Sequence, residues 1–184
     1  ASGPGDAFWT MIEAVRIALR FMTPVIVLSD AYIANGTEPW SVPSLDLIPA
    51  IPVQFATETE GFQPFARNAD GARPWAVPGT AGLEHRIGGL EKSEGGGNVS
   101  YDSVNHERMT RARAAKVQGI AATYAPYEVF GDNEGDLLLI SWGGTLGAVR
   151  EAVLQARGAG SHHIGHLHLR HLNPLPNDLG AILA

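Results

Sequence analysis

Seven prolines, Pro39, Pro43, Pro49, Pro52, Pro64, Pro74 and Pro78, punctuate the middle of this 184-residue chain. Each lacks an amide donor and restricts the residue before it, so the stretch cannot carry long helices. Glycine then takes over: Gly79, Gly82, Gly88, Gly89 and Gly95 to Gly97 break up Pro78 to Met109. A loop of that length is either functional or disordered. Its composition is varied rather than of low complexity, with His85 and Arg86, Glu84, Glu91 and Glu94, Lys92, and then Asn98, Asp102 and His106. Two readings stand side by side, an ordered functional or partner-packed segment and a loose surface loop. Trp40, Phe55, Phe62, Phe65 and Trp75 lie in or beside the proline region. Aromatics of this size pack somewhere, which predicts a connector lying against a larger body, with a domain boundary near Trp40. Val53 to Ala56 is a candidate short strand.

The flanks are regular. Phe8, Met11, Ile12, Val15, Ala18, Leu19 and Met22 recur at helical spacing, with Glu13, Arg16 and Arg20 assigned to the wet face. Asp6 is the candidate N-cap and Thr23-Pro24 the stop. The unbroken run Val25 to Leu28 predicts a strand buried on both faces, as in a parallel sheet. Ser29, Asp30, Tyr32 and Asn35 follow at its carboxyl end, where ligands gather in open α/β sheets. Asp30 and Asn35 are therefore either ligand-binding groups or simple cap and turn residues, and both readings stay open.

A helix is predicted over Asn105 to Tyr124, with Asn105 as cap and Arg108, Arg111, Arg113 and Lys116 on one side. Those cations either hold an anionic partner or form a solvated face paired with Glu107 and the acidic loop. Leu137 to Ile140 reads as a second buried strand. A turn at Trp142 to Gly147 leads into a helix with the stripe Leu146, Val149, Ala152, Val153 and Ala156, ended by Gly158 and Gly160. A strand at about Ile164 to Leu169 completes a β-α-β unit. Asn173-Pro174 closes it, and Asn177-Asp178 caps a last helix. The predicted class is α/β, built from parallel-sheet β-α-β units.

The chain is 45% hydrophobic and 17% charged, values of a folded protein able to bury a core. Its net charge of −6 argues against a nucleic-acid partner. The absence of cysteine excludes disulfides, iron–sulfur ligation and thiol catalysis within the chain and fits a cytoplasmic setting. No apolar run reaches the length of a membrane span. Five of the seven histidines fall between His162 and His171. In a strand, alternation sets His162, His166 and His168 with Arg170 on one face and His163 with His171 on the other. Arg170 would oppose a cation there, so polar strand-end or subunit contacts are the preferred reading over a metal site. The turn GGTLG resembles a phosphate-binding loop but matches neither dinucleotide nor P-loop pattern, and tight strand-to-helix packing accounts for its glycines.

GLEHRIGGLEK followed by GNVSYD, with NHERM at a helix start, resembles the alpha subunit of 2-oxoacid:ferredoxin oxidoreductases, most closely the 2-oxoglutarate type. PVIVLSDAYIANGTEPW is similar to the last strand and exit of that family's pyrimidine-binding domain. LLLISWGGTLGAVREAV and HLHLRHLNPLPNDLG are similar to the opening of its transketolase-C-like domain. The resemblance implies three regions: residues 1–40 as the end of the thiamine-diphosphate pyrimidine-binding domain, 41–123 as connector, loop and helix, and 124–184 as a partial transketolase-C-like domain. It implies part of a longer subunit that carries out coenzyme A-dependent oxidative decarboxylation of a 2-oxoacid with reduction of ferredoxin. Thiamine diphosphate with Mg would be shared with a beta subunit that also holds an iron–sulfur cluster, in a dimer of heterodimers. The family's pyrimidine-activating glutamate and its YPITP motif do not occur here, so no catalytic acid or base is assigned. The expected sites are Asp30, Tyr32 and Asn35 near the cofactor. His85, Arg86, Asn98, Asp102 and His106 are expected along a substrate or coenzyme A channel or at an interface. The alternative is a non-catalytic assembly module of the same enzyme.

Overall fold

Two apolar runs separated by one amphipathic helix pair as parallel strands, β2 (Leu137–Trp142) and β3 (Ile164–Leu169), with Leu137 opposite Ile164 and Trp142 opposite Leu169. A shorter strand, β1 (Val129–Gly131), joins the other side of β3 antiparallel, so the order is β1-β3-β2. Between β2 and β3 runs α4 (Leu146–Gly158), whose Val153 is fully buried, as is Leu167 of the central strand. This computed structural model describes residues 1–160 and 163–184. The remaining helices are α1 (Pro4–Phe21), α2 (Ala31–Asn35), α3 (Ser103–Gly119) and α5 (Leu179–Leu183).

The chain divides into two compact units. The first comprises Ala1–Val15, Val25–Ile48 and Ala121–Ala184, and holds the sheet, α4 and the start of α1. Arg170, just past β3, is its main polar fastener: Nε donates to Glu13 at 2.7 Å and Nη1 to Asp6 at 2.8 Å. Beside it the Tyr127 oxygen accepts the backbone amides of Arg170 and His171, so its own proton goes to His171 Nδ1 at 2.9 Å. His171 Nε2 is then left to donate to Glu13 at 3.1 Å, while its ring stacks on Tyr124. Burial opposes ionisation of Glu13, but the hydrogen bonds from His171 and Arg170 prevail and hold its carboxyl at about 2.

The second unit comprises Arg16–Pro24 and Pro49–Ile120. As the prolines require, residues 49–102 contain no helix and only isolated bridges, Phe55 with Trp75, Phe65 with Gly95 and Lys92 with Val99. The candidate strand at Val53 to Ala56 thus reduces to one bridge. Ile17, Phe21, Ala72, Leu83, Met109 and Ile120 form the buried apolar set, and the Trp75 indole donates to Leu19 O. Gly97 is required by its neighbour: at φ +73°, a Cβ there would lie 2.2 Å from the Phe65 ring.

Several expectations are corrected. Val25 to Leu28 forms no ladder, and Ile26 is 84% exposed, because the described residues supply no adjacent strand to bury it. β2 is likewise half-exposed at Leu137 and Ile140, being an edge strand. On α1 the buried residues are Ala14, Ile17 and Phe21, whereas Met11 and Val15 lie open. The helix is apolar on more than one side, and periodicity cannot choose between stripes. Glu13, assigned to the wet face, is instead held by Arg170 and His171. Asp6 sits inside the first turn rather than at the cap. Asn105 is not the cap of α3. Asp102 is, accepting from Asn105 N at 2.7 Å, while Asn105 is buried and donates to Lys92 O. Asp178 precedes α5, but its carboxylate accepts from Tyr127 N instead of capping.

Two outcomes are expected. Leu167→Ala lowers stability by about 2–5 kcal/mol, read from the urea unfolding midpoint, since it empties a fully buried site. Glu13 titrates lower folded than its ordinary 4.5, so its stabilisation is complete above that value and is lost as pH falls towards about 2. Glu13→Gln is expected to be less stable at neutral pH and to show a flatter acid-unfolding profile than wild type in that window.

Candidate functional site

The exit of the apolar run and the turn before α4 meet in the first unit. Asp30 Oδ1 accepts from Ile33 N at 2.9 Å, capping α2, and Oδ2 accepts from Gly144 N at 3.0 Å. These amides, Ile33 first, hold the Asp30 carboxyl below its ordinary range. Gly144 is kept small by the same contact, for a Cβ would lie 2.7 Å from Oδ2. Asn35 donates to Ala31 O at 2.8 Å and Tyr32 is 78% exposed. The cap reading of Asp30 therefore describes what its carboxylate does, and the exposed Tyr32 phenol makes no hydrogen bond among the described residues.

In the second unit the glycine-rich loop is tied down. Ser93 N donates to Asn98 O, Ser100 N to Glu91 O and Phe65 N to Gly95 O. Lys92, 6% exposed, turns its ammonium onto the carbonyls of Gly88 and Leu90. His85 points inwards: Nδ1 donates to Leu83 O at 2.8 Å, and the ring sits edge-on to Phe62 and Phe65. Arg86 and Asn98 face outwards, and Arg86 makes no ion pair among the described residues. His106 Nδ1 donates to Glu91 at 2.7 Å, and Arg113 joins the same carboxylate at 3.0 Å. Those five positions thus share one loop and the helix it leads into, but divide into an inner residue (His85), a cap (Asp102), a paired residue (His106) and two outward groups.

The cations of α3 separate as well. Arg108 pairs with Glu94, Arg111 with Glu107 and Arg113 with Glu91, which is the solvated, paired face. Lys116 leaves that face and donates to Met22 O at 2.9 Å.

The histidine run forms part of the sheet. His162 lies outside the described residues, and His163, at φ 79°, precedes β3. His166 and His168 share a face and both meet Ser141 Oγ, at 2.7 and 2.9 Å. His166 Nδ1 is buried without a partner, so the proton belongs on Nε2 and the serine hydroxyl donates on to His168. Burial, then His166 and Arg150, push His168 down to about 4. Among the described residues no group of three or more His, Asp or Glu side chains is arranged to hold a metal ion.

Two features escaped sequence reading. One is the Arg170 fastener. The other is the pair Arg67 and Arg73 flanking the turn Asn68–Ala72, for which the string NADG was an available turn signal.

Residues 1–101 match the family described as pyruvate flavodoxin/ferredoxin oxidoreductase, thiamine diphosphate-binding. The chain is 50% identical over 183 residues to the 2-oxoglutarate oxidoreductase subunit KorA of Mycobacterium tuberculosis, covering 98% of this chain and 27% of that protein. It is 33% identical to the 2-oxoacid:ferredoxin oxidoreductase 1 subunit alpha of Aeropyrum pernix, covering 93% of this chain and 27% of that protein. Among solved structures, a 2-oxoglutarate:ferredoxin oxidoreductase from Magnetococcus marinus, with 2-oxoglutarate, coenzyme A and succinyl-CoA bound, superposes with a TM-score of 0.90 at 29% identity, over 99% of this chain and 32% of that one. The chain spans about a quarter of the length of these curated relatives. With more than half of its residues matched by that family and nearly all of them aligned to such subunits, the chain belongs to the pyruvate flavodoxin/ferredoxin oxidoreductase family.

Proposed function

We propose that this chain is part of the alpha subunit of a 2-oxoacid:ferredoxin oxidoreductase acting on 2-oxoglutarate. The observation that carries the reading is the 50% identity, over 98% of the chain, to a 2-oxoglutarate oxidoreductase subunit. The reaction is oxidative decarboxylation: the 2-oxoacid and coenzyme A give acyl-coenzyme A and carbon dioxide, and the two electrons released pass to ferredoxin. Bound thiamine diphosphate, with Mg, supplies the nucleophile and electron sink for breaking the bond to the carboxylate. The remaining machinery, including an iron–sulfur cluster, belongs to a beta subunit in a cytoplasmic dimer of heterodimers. In this reading residues 1–40 end the pyrimidine-binding domain, 41–123 form connector, loop and helix, and 124–184 begin the transketolase-C-like domain.

The residues of this chain take modest roles. Asp30 uses both carboxylate oxygens on backbone amides and so fixes the loop on which Tyr32 and Asn35 stand. Tyr32 is the donor with its hydroxyl free to meet a cofactor. On the glycine-rich loop Arg86 and Asn98 face the substrate or coenzyme A, while His85, Asp102 and His106 set the loop's shape. A second reading, an assembly module without a catalytic part, is favoured by the open apolar surface of Ile26, Val42 and Leu45, each more than 80% exposed. Such surface calls for a covering partner.

The test is ferredoxin reduction by the full-length subunit assembled with its beta subunit, dependent on both 2-oxoglutarate and coenzyme A. Arg86→Ala is expected to raise KM for one of the two by about tenfold, the loss of one charge-assisted contact, with the melting temperature unchanged. Asp102→Ala removes the α3 cap and costs about 1 kcal/mol, whereas Asp102→Asn retains most of it. If Arg86→Ala leaves kcat and both KM values at wild-type level, the loop has no part in catalysis and the assembly reading takes its place.

A further inference from the structure

We propose that the turn Arg67–Arg73, together with Lys116 of α3, forms a binding site for a phosphate group. The inference stands on the local charges and does not depend on the proposed activity.

The turn is sharply defined. Asn68 N donates to Ala72 O at 2.8 Å, and the Asn68 side chain accepts from the amides of Asp70 and Ala72 at 3.0 and 2.9 Å. Closing the pair Asn68 and Ala72 leaves Arg67 and Arg73 side by side where the two arms leave the turn. Gly71, at φ +76°, joins the third cation to them. Arg67 Nη1 donates to Gly71 O at 2.7 Å, and a Cβ on Gly71 would lie 3.0 Å from Lys116 Cβ. Arg73 lies with its guanidinium 4.9 Å above the Phe65 ring, and Nη1 is 3.4 Å from His85 Nε2, which accepts because Nδ1 donates to Leu83 O.

Among the described residues no carboxylate answers this charge. The one carboxylate on the turn, Asp70, is fully engaged by Arg20, which grips both its oxygens at 2.8 and 3.0 Å. None of the three cations forms an ion pair among the described residues. Arg67 Nε is buried with no acceptor. Burial, then Arg67, weakens the hold of Arg73 on its proton, and burial, then Arg67 and Arg73, does the same to Lys116. Three part-buried cations that repel one another destabilise the unit unless an anion offsets them. The carbonyl contacts of Arg67 and Lys116 need a donor but no charge. Four other cations of this unit, Arg20, Arg108, Arg111 and Arg113, have carboxylates, while Arg86 stands open to water and Lys92 is turned onto carbonyls, so neither is crowded by a second cation. A phosphate group matches better than a lone carboxylate, because it can carry two negative charges and offers more oxygens to two planar forks.

The group could be free inorganic phosphate or the phosphate of a nucleotide, and the two sources are separable. The full-length subunit is titrated with inorganic phosphate or ADP at fixed ionic strength, with sodium chloride as the control, by calorimetry and thermal melting. Saturable binding of inorganic phosphate is expected if the group is free. Binding of ADP alone identifies the nucleotide-borne source. Either result, weakened at least about tenfold in Arg67→Gln and Arg73→Gln but unchanged in Arg108→Gln, supports the site. A merely structural arginine would alter the melting temperature but not its phosphate-dependent increment. Should a glutamine variant fail to fold, Arg73→Lys, which keeps charge but loses the fork, is expected to bind several-fold more weakly than wild type. No binding of either probe, or equal binding by wild type and the Arg73 variants, overturns the proposal and leaves a protein carboxylate as the counter-charge.

Discussion

The first unit depends on one guanidinium. Arg170 stands just beyond β3 and donates to Asp6 and Glu13, at the other end of the chain. Without it, the start of α1 keeps only the His171–Glu13 hydrogen bond and apolar contacts against the end of the sheet. The contact is strong for the reasons that make guanidinium–carboxylate pairs strong, fixed fork geometry and partial removal from water. It is also over-determined: Thr10 accepts from Arg170 Nη2, and Tyr127 and His171 fix the adjoining backbone and the second oxygen of Glu13.

The Asp30 loop holds its shape by its own contacts while standing open to solvent. Asp30 caps α2 with one oxygen and the turn at Gly144 with the other, so two segments 114 residues apart share a single carboxylate. The second unit achieves order by other means. It has little regular ladder, and in its place it uses aromatic rings as a bed for cations, with Arg73 and Lys92 both over Phe65 and His85 at its edge. Chain-closing carbonyl contacts from Lys92, Arg67 and Lys116 complete the unit. Apolar burial is modest, and polar side chains turned onto backbone oxygens replace the missing hydrogen-bond ladders.

Membership of the oxidoreductase family was legible in the glycine-rich loop, because its order of glycine, charge and amide is specific in a way that amphipathic spacing is not. The same sequence was a poor guide to what its polar residues touch. Asp102 and Asn105 are both good cap residues three positions apart, and only the fold decided that Asp102 caps while Asn105 is buried. Arg108, Arg111, Arg113 and Lys116 look alike in sequence, yet three have carboxylates and the fourth has turned to a carbonyl beside two unpaired arginines.

The features legible in the order of residues were local. The stop of α1 before Pro24, the absence of long helix through the prolines, and the places of β2, α4 and β3 all follow from backbone restrictions and periodicities that act within a few residues, although β2 runs two residues past the apolar run, to Trp142. The tertiary structure decided which apolar stripe of α1 is buried, whether Val25 to Leu28 has a neighbour, and which charge meets which. Those outcomes depend on groups up to 164 residues apart, as Asp6 and Arg170 are. Periodicity has no information about a partner at that distance. Burial and ion pairing are properties of the assembled surface, and only the folded chain brings that surface together.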